Sequence, residues 1–297
     1  MTKKTANAIP AKRFFVEMLT RDIELQDAIL DLLDNCVDGA MRQNKGRTVN
    51  PKSPYEGFCA WIEFDENHFT LTDNCGGIPR EIAEEQAFRM GRQDTKRDSE
   101  LATVGVYGIG MKRAIFKMGR AATVTSQTAS DAGFKVQIDG AWLDDDHNWN
   151  LPITETPEAL DKPGTIIEVS NLQKGIARAF SNDTDFVKEL EKSISAYYSY
   201  IIEKGFTVYL NKKKVKSLQV ELLFDRENFE KGESIVPYGY KYENDGMSVD
   251  LFVGLYRNLP SDIDEEDALS GKPSTEKAGW TIVCNDRVVL FADKSRV

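Results

Sequence analysis

The sequence predicts an α+β fold, one helical layer on one sheet, and three observations carry that expectation. Apolar residues Leu25, Ile29, Leu32, Leu33, Cys36, Val37 and Ala40 recur at helical spacing. Two short runs rich in strand-forming residues, CAWIEF and HFTLT, flank Asp65-Glu66-Asn67 and read as a hairpin. Downstream, further strand candidates are interleaved with one long helical pattern.

In chain order, a helix is expected from Leu25 to Met41, with Asp27, Asp31, Asn35, Asp38 and Arg42 opposite its apolar face. NKGRTVNPKSPYEG then reads as a loop, and the hairpin follows. A helix from Glu81 to Met90 comes after Pro79, and the polar run GRQDTKRDSE reads as a loop. A second short helix spans Gly110 to Lys117, closed by Gly119. Strands are expected at 122–127, 134–138, 165–169 and 207–210, with a helix over 186–203. After residue 215 comes a basic turn, KKKVKS, then strand candidates at 249–256 and 280–291 around the acidic segment SDIDEEDALSGKPSTEK, read as a mobile loop. The sequence stops just after a strand, which suits either a natural domain end or a piece of a longer protein.

Composition narrows the class. Hydrophobic residues make up 41% and charged residues 29%, as in an ordinary water-soluble domain. No apolar run approaches the roughly 20 residues that span a bilayer, and the basic N-terminus lacks the apolar core of a signal peptide. Cys36, Cys59, Cys75 and Cys284 form no CxxC pair, and with only His68 and His147 beside them a reduced cytoplasmic setting is expected, without zinc. The formal charge of -10 argues against a surface that is basic throughout, although a local basic groove is compatible with it.

Four clusters carry chemistry. Asp31 and Asn35 stand one helical turn apart, with Asp38 a turn further on. An amide oxygen so placed can hold Mg²⁺ on a phosphate, and a carboxylate can orient water; the same pattern also describes a solvated helix face. Thr72-Asp73-Asn74-Cys75-Gly76-Gly77-Ile78-Pro79 follows a strand. It offers a fixed acceptor for an adenine amino group, or forms a plain Asx turn. Gly105-Val-Tyr107-Gly108-Ile109-Gly110-Met111-Lys112 opens a helix and suits an anion; it is neither a Walker A loop nor a Rossmann fingerprint. Gly164-Thr165 enters a strand and says little alone.

In this order the pieces resemble, motif for motif, the GHKL superfamily of gyrase B, heat-shock chaperone, histidine kinase and MutL ATPases, over roughly residues 14 to 210. There the pattern is E-x-x-x-N, D-x-G-x-G, a glycine-rich lid end, then a threonine. The resemblance implies a Bergerat-type α/β sandwich, a helical layer on a mixed sheet, followed by part of a transducer-like α/β domain. It implies ATP and Mg²⁺ as ligands. Asn35 would ligate the metal, Asp73 would read adenine, and Gly77 would lie under the nucleotide. Gly105, Gly108 and Gly110 would face the phosphates with Lys112, and Thr165 would support Asp73 through a water. Asp38, Ile78, Tyr107, Ile109 and Met111 would complete the pocket, and Gly91–Thr103, with Arg92, Lys96 and Arg97, would be its lid. Asp31 stands where the family's general base is usually Glu, one methylene shorter, so slow hydrolysis is expected. Cys75 stands where the family often has glycine.

The run V-G-V-Y-G-I-G-M-K-R-A is most like the MORC branch and its prokaryotic relatives, and residues 279–289 look like a transducer strand. Residues 1–20 would then be a dimerisation segment, 21–215 the ATP-binding domain and 216–297 the transducer-like part, with Lys272, Lys277 or Lys294 reaching the γ-phosphate. The resemblance implies an ATP-gated homodimeric clamp, acting on DNA or in prokaryotic defence, with Arg89–Arg97 and Lys212–Lys216 as basic stretches. A non-hydrolysing nucleotide sensor and a chaperone-like client-binding ATPase are the competing readings. No membrane role is expected.

Overall fold

The computed structural model describes residues 11–90, 109–156, 160–182, 184–218, 221–224, 236–256 and 277–295. The chain divides into two compact units, residues 1–217 with 285–287, and residues 218–284 with 288–297.

The first unit opens with α1 (Lys12–Arg21), an element the sequence pattern did not announce. Lys12 anchors it. Its ammonium is fully buried, donates to the carbonyls of Trp142 (2.5 Å) and Asn148 (2.7 Å), and lies 3.8 Å from the centre of the Trp142 ring. Burial lowers the pKa of Lys12, and Asp145 and Asp146 oppose that shift. α2 (Leu25–Asn44) follows at the expected place. Its Ala28, Ile29, Leu32, Leu33 and Val37 are wholly buried, each large one stabilising the fold by about 1.5–3 kcal/mol.

The hairpin is β1 (Cys59–Phe64) and β2 (His68–Asp73), with Ala60 opposite Asp73. Beyond it, α3 (Arg80–Ile82) runs into a π-helical turn, Ala83–Ala87, where a regular helix to Met90 was expected. After α4 (Gly110–Met118) come β3 (Gly119–Gln127), β4 (Phe134–Ile138), α5 (Gly140–Asp144), β5 (Ile153–Glu155) and β6 (Gly164–Leu172). The unit continues with α6 (Lys174–Asn182), α7 (Thr184–Tyr197), α8 (Ser199–Glu203), β7 (Thr207–Leu210) and β8 (Lys213–Lys214). The single helix expected over 186–203 breaks at Tyr198, which is buried with its hydroxyl 2.9 Å from the Leu30 carbonyl oxygen and 2.5 Å from Asp34 Oδ1.

These strands form one mixed sheet, ordered β5-β4-β3-β6-β2-β1-β7-β8. Among the described residues only β1 and β7 pair in parallel; the other neighbours are antiparallel. Alternate residues Ala60, Ile62 and Phe64 of β1, Phe69 and Leu71 of β2, and Ile167 and Val169 of β6 are buried in one core with the α2 stripe. This is the α/β sandwich that the sequence predicts: a period-2 face meets a period-3.6 face, and both leave water together.

Two hairpins follow along the chain. β9 (Tyr238–Asn244) pairs with β10 (Met247–Val253) through Asp245-Gly246, and β11 (Trp280–Cys284) pairs with β12 (Arg287–Asp293) through Asn285-Asp286. All four turn residues have positive φ, the backbone that two-residue hairpins need and that Asn, Asp and Gly supply. The strand expected over 280–291 is thus two strands, and β9 went unrecognised. The acidic segment expected as a loop lies almost wholly outside the described residues. Among the described residues no helix is long and apolar enough to cross a membrane.

Candidate functional site

The site is built where α2, the end of β2, the start of β6 and the start of α4 meet. Gly39 of α2 lets the loop after β2 settle against the helix: a Cβ there would lie 2.7 Å from the Cys75 carbonyl oxygen. Asp38 beside it is buried, at 5% exposure, where the sequence pattern had placed it on the polar side. Asn35 remains exposed and Asp31 half-buried. The expected solvated face is therefore solvated only in part.

Asp73 ends β2. Its Oδ1 accepts the Cys75 backbone N–H at 2.7 Å, the Thr165 backbone N–H also bonds the carboxylate, and the Cys36 thiol lies 3.6 Å from Oδ2. Burial dominates these hydrogen bonds and pushes the Asp73 pKa up to about 6. The Asx turn and the acceptor role are both compatible with this geometry, because the turn engages one oxygen. The neighbouring thiols are inert: burial raises Cys36 and Cys75, and the Asp73 carboxylate adds to it.

Two glycines follow in left-handed conformation, Gly76 at φ +94 and Gly77 at φ +72. A Cβ on Gly77 would meet the Gln127 carbonyl oxygen at 2.1 Å. In this structure the close neighbour that demands glycine at 77 is thus the backbone at the end of β3. Gly164 is equally constrained: its Cβ would fall 2.0 Å from the Asp73 carbonyl oxygen.

Thr165 is buried and supports Asp73 through its backbone. Its hydroxyl lies 3.0 Å from Ser126 Oγ, because the β3–β6 register sets those residues opposite each other. Ser126 also accepts the Ile78 N–H at 2.8 Å and donates to the Gly164 carbonyl at 3.1 Å. It ties three expected site residues together, and sequence reasoning missed it: a serine inside a strand run carries no signal of its own. Ile78 packs beside Ala83, Phe134 and Val136.

At α4, Ile109 is half-buried and caps the helix, its carbonyl accepting the Arg113 N–H at 2.9 Å, and Met111 packs on the core. Lys112 is 2% exposed, and its ammonium donates to the Ala87 carbonyl at 2.7 Å, at the end of the π-helical turn. A contact with phosphates needs that bond to open. Its neighbour Arg113 reaches Asp31 instead, Nη2 to Oδ2 at 2.6 Å. Gly105, Tyr107, Gly108, the lid Gly91–Thr103 and Lys272 lie outside the described residues. Lys277 and Lys294 belong to the second unit.

Among the described residues no group of three His, Cys, Asp or Glu side chains could hold a metal by itself. An exposed amide such as Asn35 fits Mg²⁺ in a different way, as one ligand to an ion that keeps water and takes phosphate oxygens.

Behind this face, Asp34 is held by Arg287 (Nε to Oδ1, 2.8 Å) and Tyr198, and Arg287 also donates to the Tyr197 carbonyl and stacks 4.1 Å from the Tyr198 ring centre. Burial raises the Asp34 pKa, and Arg287 opposes it.

Residues 23–175, from the segment before α2 through β6 to the start of α6, match the sequence model of the histidine kinase-, DNA gyrase B- and HSP90-like ATPases. No curated protein matches the chain.

Proposed function

The chain belongs to the histidine kinase-, DNA gyrase B- and HSP90-like ATPases, and on that premise we propose that it binds ATP with Mg²⁺ and hydrolyses it slowly. Membership carries ATP binding and ATPase-type chemistry in general; the residue roles are ours. Asp73 reads the adenine amino group, Asn35 ligates Mg²⁺ on the phosphates, and Asp31 activates the attacking water. Gly110 faces the phosphates at the start of α4, with Lys112 swinging from Ala87 to join it, and Gly105 and Gly108 belong to the same glycine-rich motif. Thr165 and Ser126 hold the adenine end in shape.

The observation that carries this reading is the Asp73 carboxylate, fixed by two backbone N–H groups at a strand end while still paying for its charge. A half-buried acceptor whose desolvation outweighs its hydrogen bonds suits a ligand that brings its own donor.

We further propose that nucleotide gates a dimer of MORC-like type, with the second unit in the transducer's role and DNA as a candidate partner. The exposed Phe14 (61%) and Met18 (49%) of α1 support an ATP-dependent partner surface, and the basic turn at Lys212–Lys216 supports the polyanion. A sensor that binds without cleaving is the competing reading, and phosphate release separates the two.

Calorimetry with Mg²⁺ and a non-hydrolysable ATP analogue, paired with phosphate release, tests the core. Wild type binds and turns over slowly, Asn35→Ala loses Mg²⁺-dependent binding, and Asp31→Asn binds but does not release phosphate. Retained Mg²⁺-dependent binding in Asn35→Ala would sink the site assignment. Light scattering with the analogue tests the dimer, and an unchanged mass would count against it.

A further inference from the structure

Asp31 is held by the first turn of α4. Arg113 holds Oδ2 at 2.6 Å, with the two side chains 32% and 27% exposed, so the pair is sheltered from full screening. The Arg113 Nε is buried and has no hydrogen-bond partner among the described residues, which spends the guanidinium on this one direction. Gly110, three residues earlier on the same face of α4, leaves the acid its room: a Cβ there would stand 3.3 Å from Asp31 Cβ and 3.4 Å from Oδ2. Oδ1 has no hydrogen-bond partner among the described residues. An acid one methylene longer would carry its carboxylate about 1.5 Å past the position that Arg113 holds.

Resting on the reading of Asp31 as the water-activating acid, we propose that Gly110 and Arg113 form a seat cut for an aspartate, with Arg113 as the positioning residue of the hydrolytic step. Arg113 holds one carboxylate oxygen and leaves the other to take the proton. In the step itself the water oxygen bonds to the γ-phosphorus as the bond from phosphorus to the β,γ-bridging oxygen breaks. One water proton passes to Asp31 Oδ1, and ADP leaves. The shorter acid is thus the fitting acid, and the usual glutamate is the misfit here.

The experiment compares phosphate release and analogue calorimetry on the full chain for wild type, Arg113→Gln, Arg113→Lys, Asp31→Glu, Asp31→Asn and the double variant Asp31→Asn/Arg113→Gln. Arg113→Gln should lower kcat roughly ten- to hundredfold, as a misplaced catalytic group does, with nucleotide Kd unchanged. Arg113→Lys should recover part of that loss. Asp31→Glu should be slower than wild type, and the double variant no slower than Asp31→Asn. Wild-type kcat in Arg113→Gln, a parallel loss of kcat and Kd, or a faster Asp31→Glu each overturns the seat. If any of these occurs while Asp31→Asn is inactive, only the seat fails. If Asp31→Asn binds and turns over like wild type, the reading of Asp31 as the base fails and the seat with it.

Discussion

Replacing Asp73 with asparagine isolates the cost of keeping one carboxylate charged at the end of β2. Burial raises its pKa from the ordinary 3.8 to about 6 in the folded chain. The folded state therefore binds the proton more tightly than the unfolded state, and protonation favours folding. That contribution is fully present below about pH 4 and is lost as pH rises through about 6. At about 1.4 kcal/mol per unit, a shift of roughly two units makes the ionised form about 3 kcal/mol less stable at pH 8. Asparagine keeps one oxygen for the Cys75 N–H group but turns an amide toward the Cys36 thiol, a loss of about 1 kcal/mol. Asp73→Asn should thus be more stable than wild type by about 1–2 kcal/mol at pH 8, with the gap closing or reversing near pH 4.5. Urea denaturation midpoints across that range provide the measurement. Adenine affinity should fall in the same variant, because a charge-assisted hydrogen bond worth about 1.5–3 kcal/mol is lost, and wild-type affinity should weaken below about pH 6 as the acceptor becomes a donor. A variant destabilised equally at pH 5 and pH 8 would refute the reasoning, since the charge would then carry no penalty.

Two further substitutions test the supports of the site. Arg287→Met strands Asp34 as a buried charge and should cost about 3–5 kcal/mol in urea unfolding, with part of that restored by adding Asp34→Asn; an additive double variant would show that the pair is not coupled. Gly164→Ala forces a methyl to within 2.0 Å of the Asp73 carbonyl and should cost about 1–3 kcal/mol while weakening nucleotide binding in calorimetry; unchanged affinity would show that Asp73 tolerates displacement of its strand end.

What was legible in the sequence was whatever a local period or a local turn could encode. The α2 stripe, the β1–β2 hairpin and the strand at Phe134–Ile138 stand where the pattern of apolar residues places them, because each element buries a face that its own spacing defines. The motif order around Asp31, Asp73, Gly110 and Thr165 carried the family, which the match over residues 23–175 shows. Elements held by remote partners were not legible. α1 depends on Lys12 reaching carbonyls more than a hundred residues away, and α7 ends where Tyr198 turns in toward Asp34.

The sequence by itself determined the α/β sandwich and, through the order of its motifs, the ATPase family, since these rest on residue identity and spacing along the chain. Only the tertiary structure decided what those residues touch. Asp38 is buried on a face that the spacing marked as polar, and Lys112 faces Ala87 while its neighbour Arg113 takes the acid. Ser126 enters the site through a strand register, and Asp34 meets a cation from position 287. The reason is one of range. Periodicity and turn chemistry act over a few residues, whereas a carboxylate's charge, reach and partners are set by whichever surfaces the fold brings within about 4 Å of it.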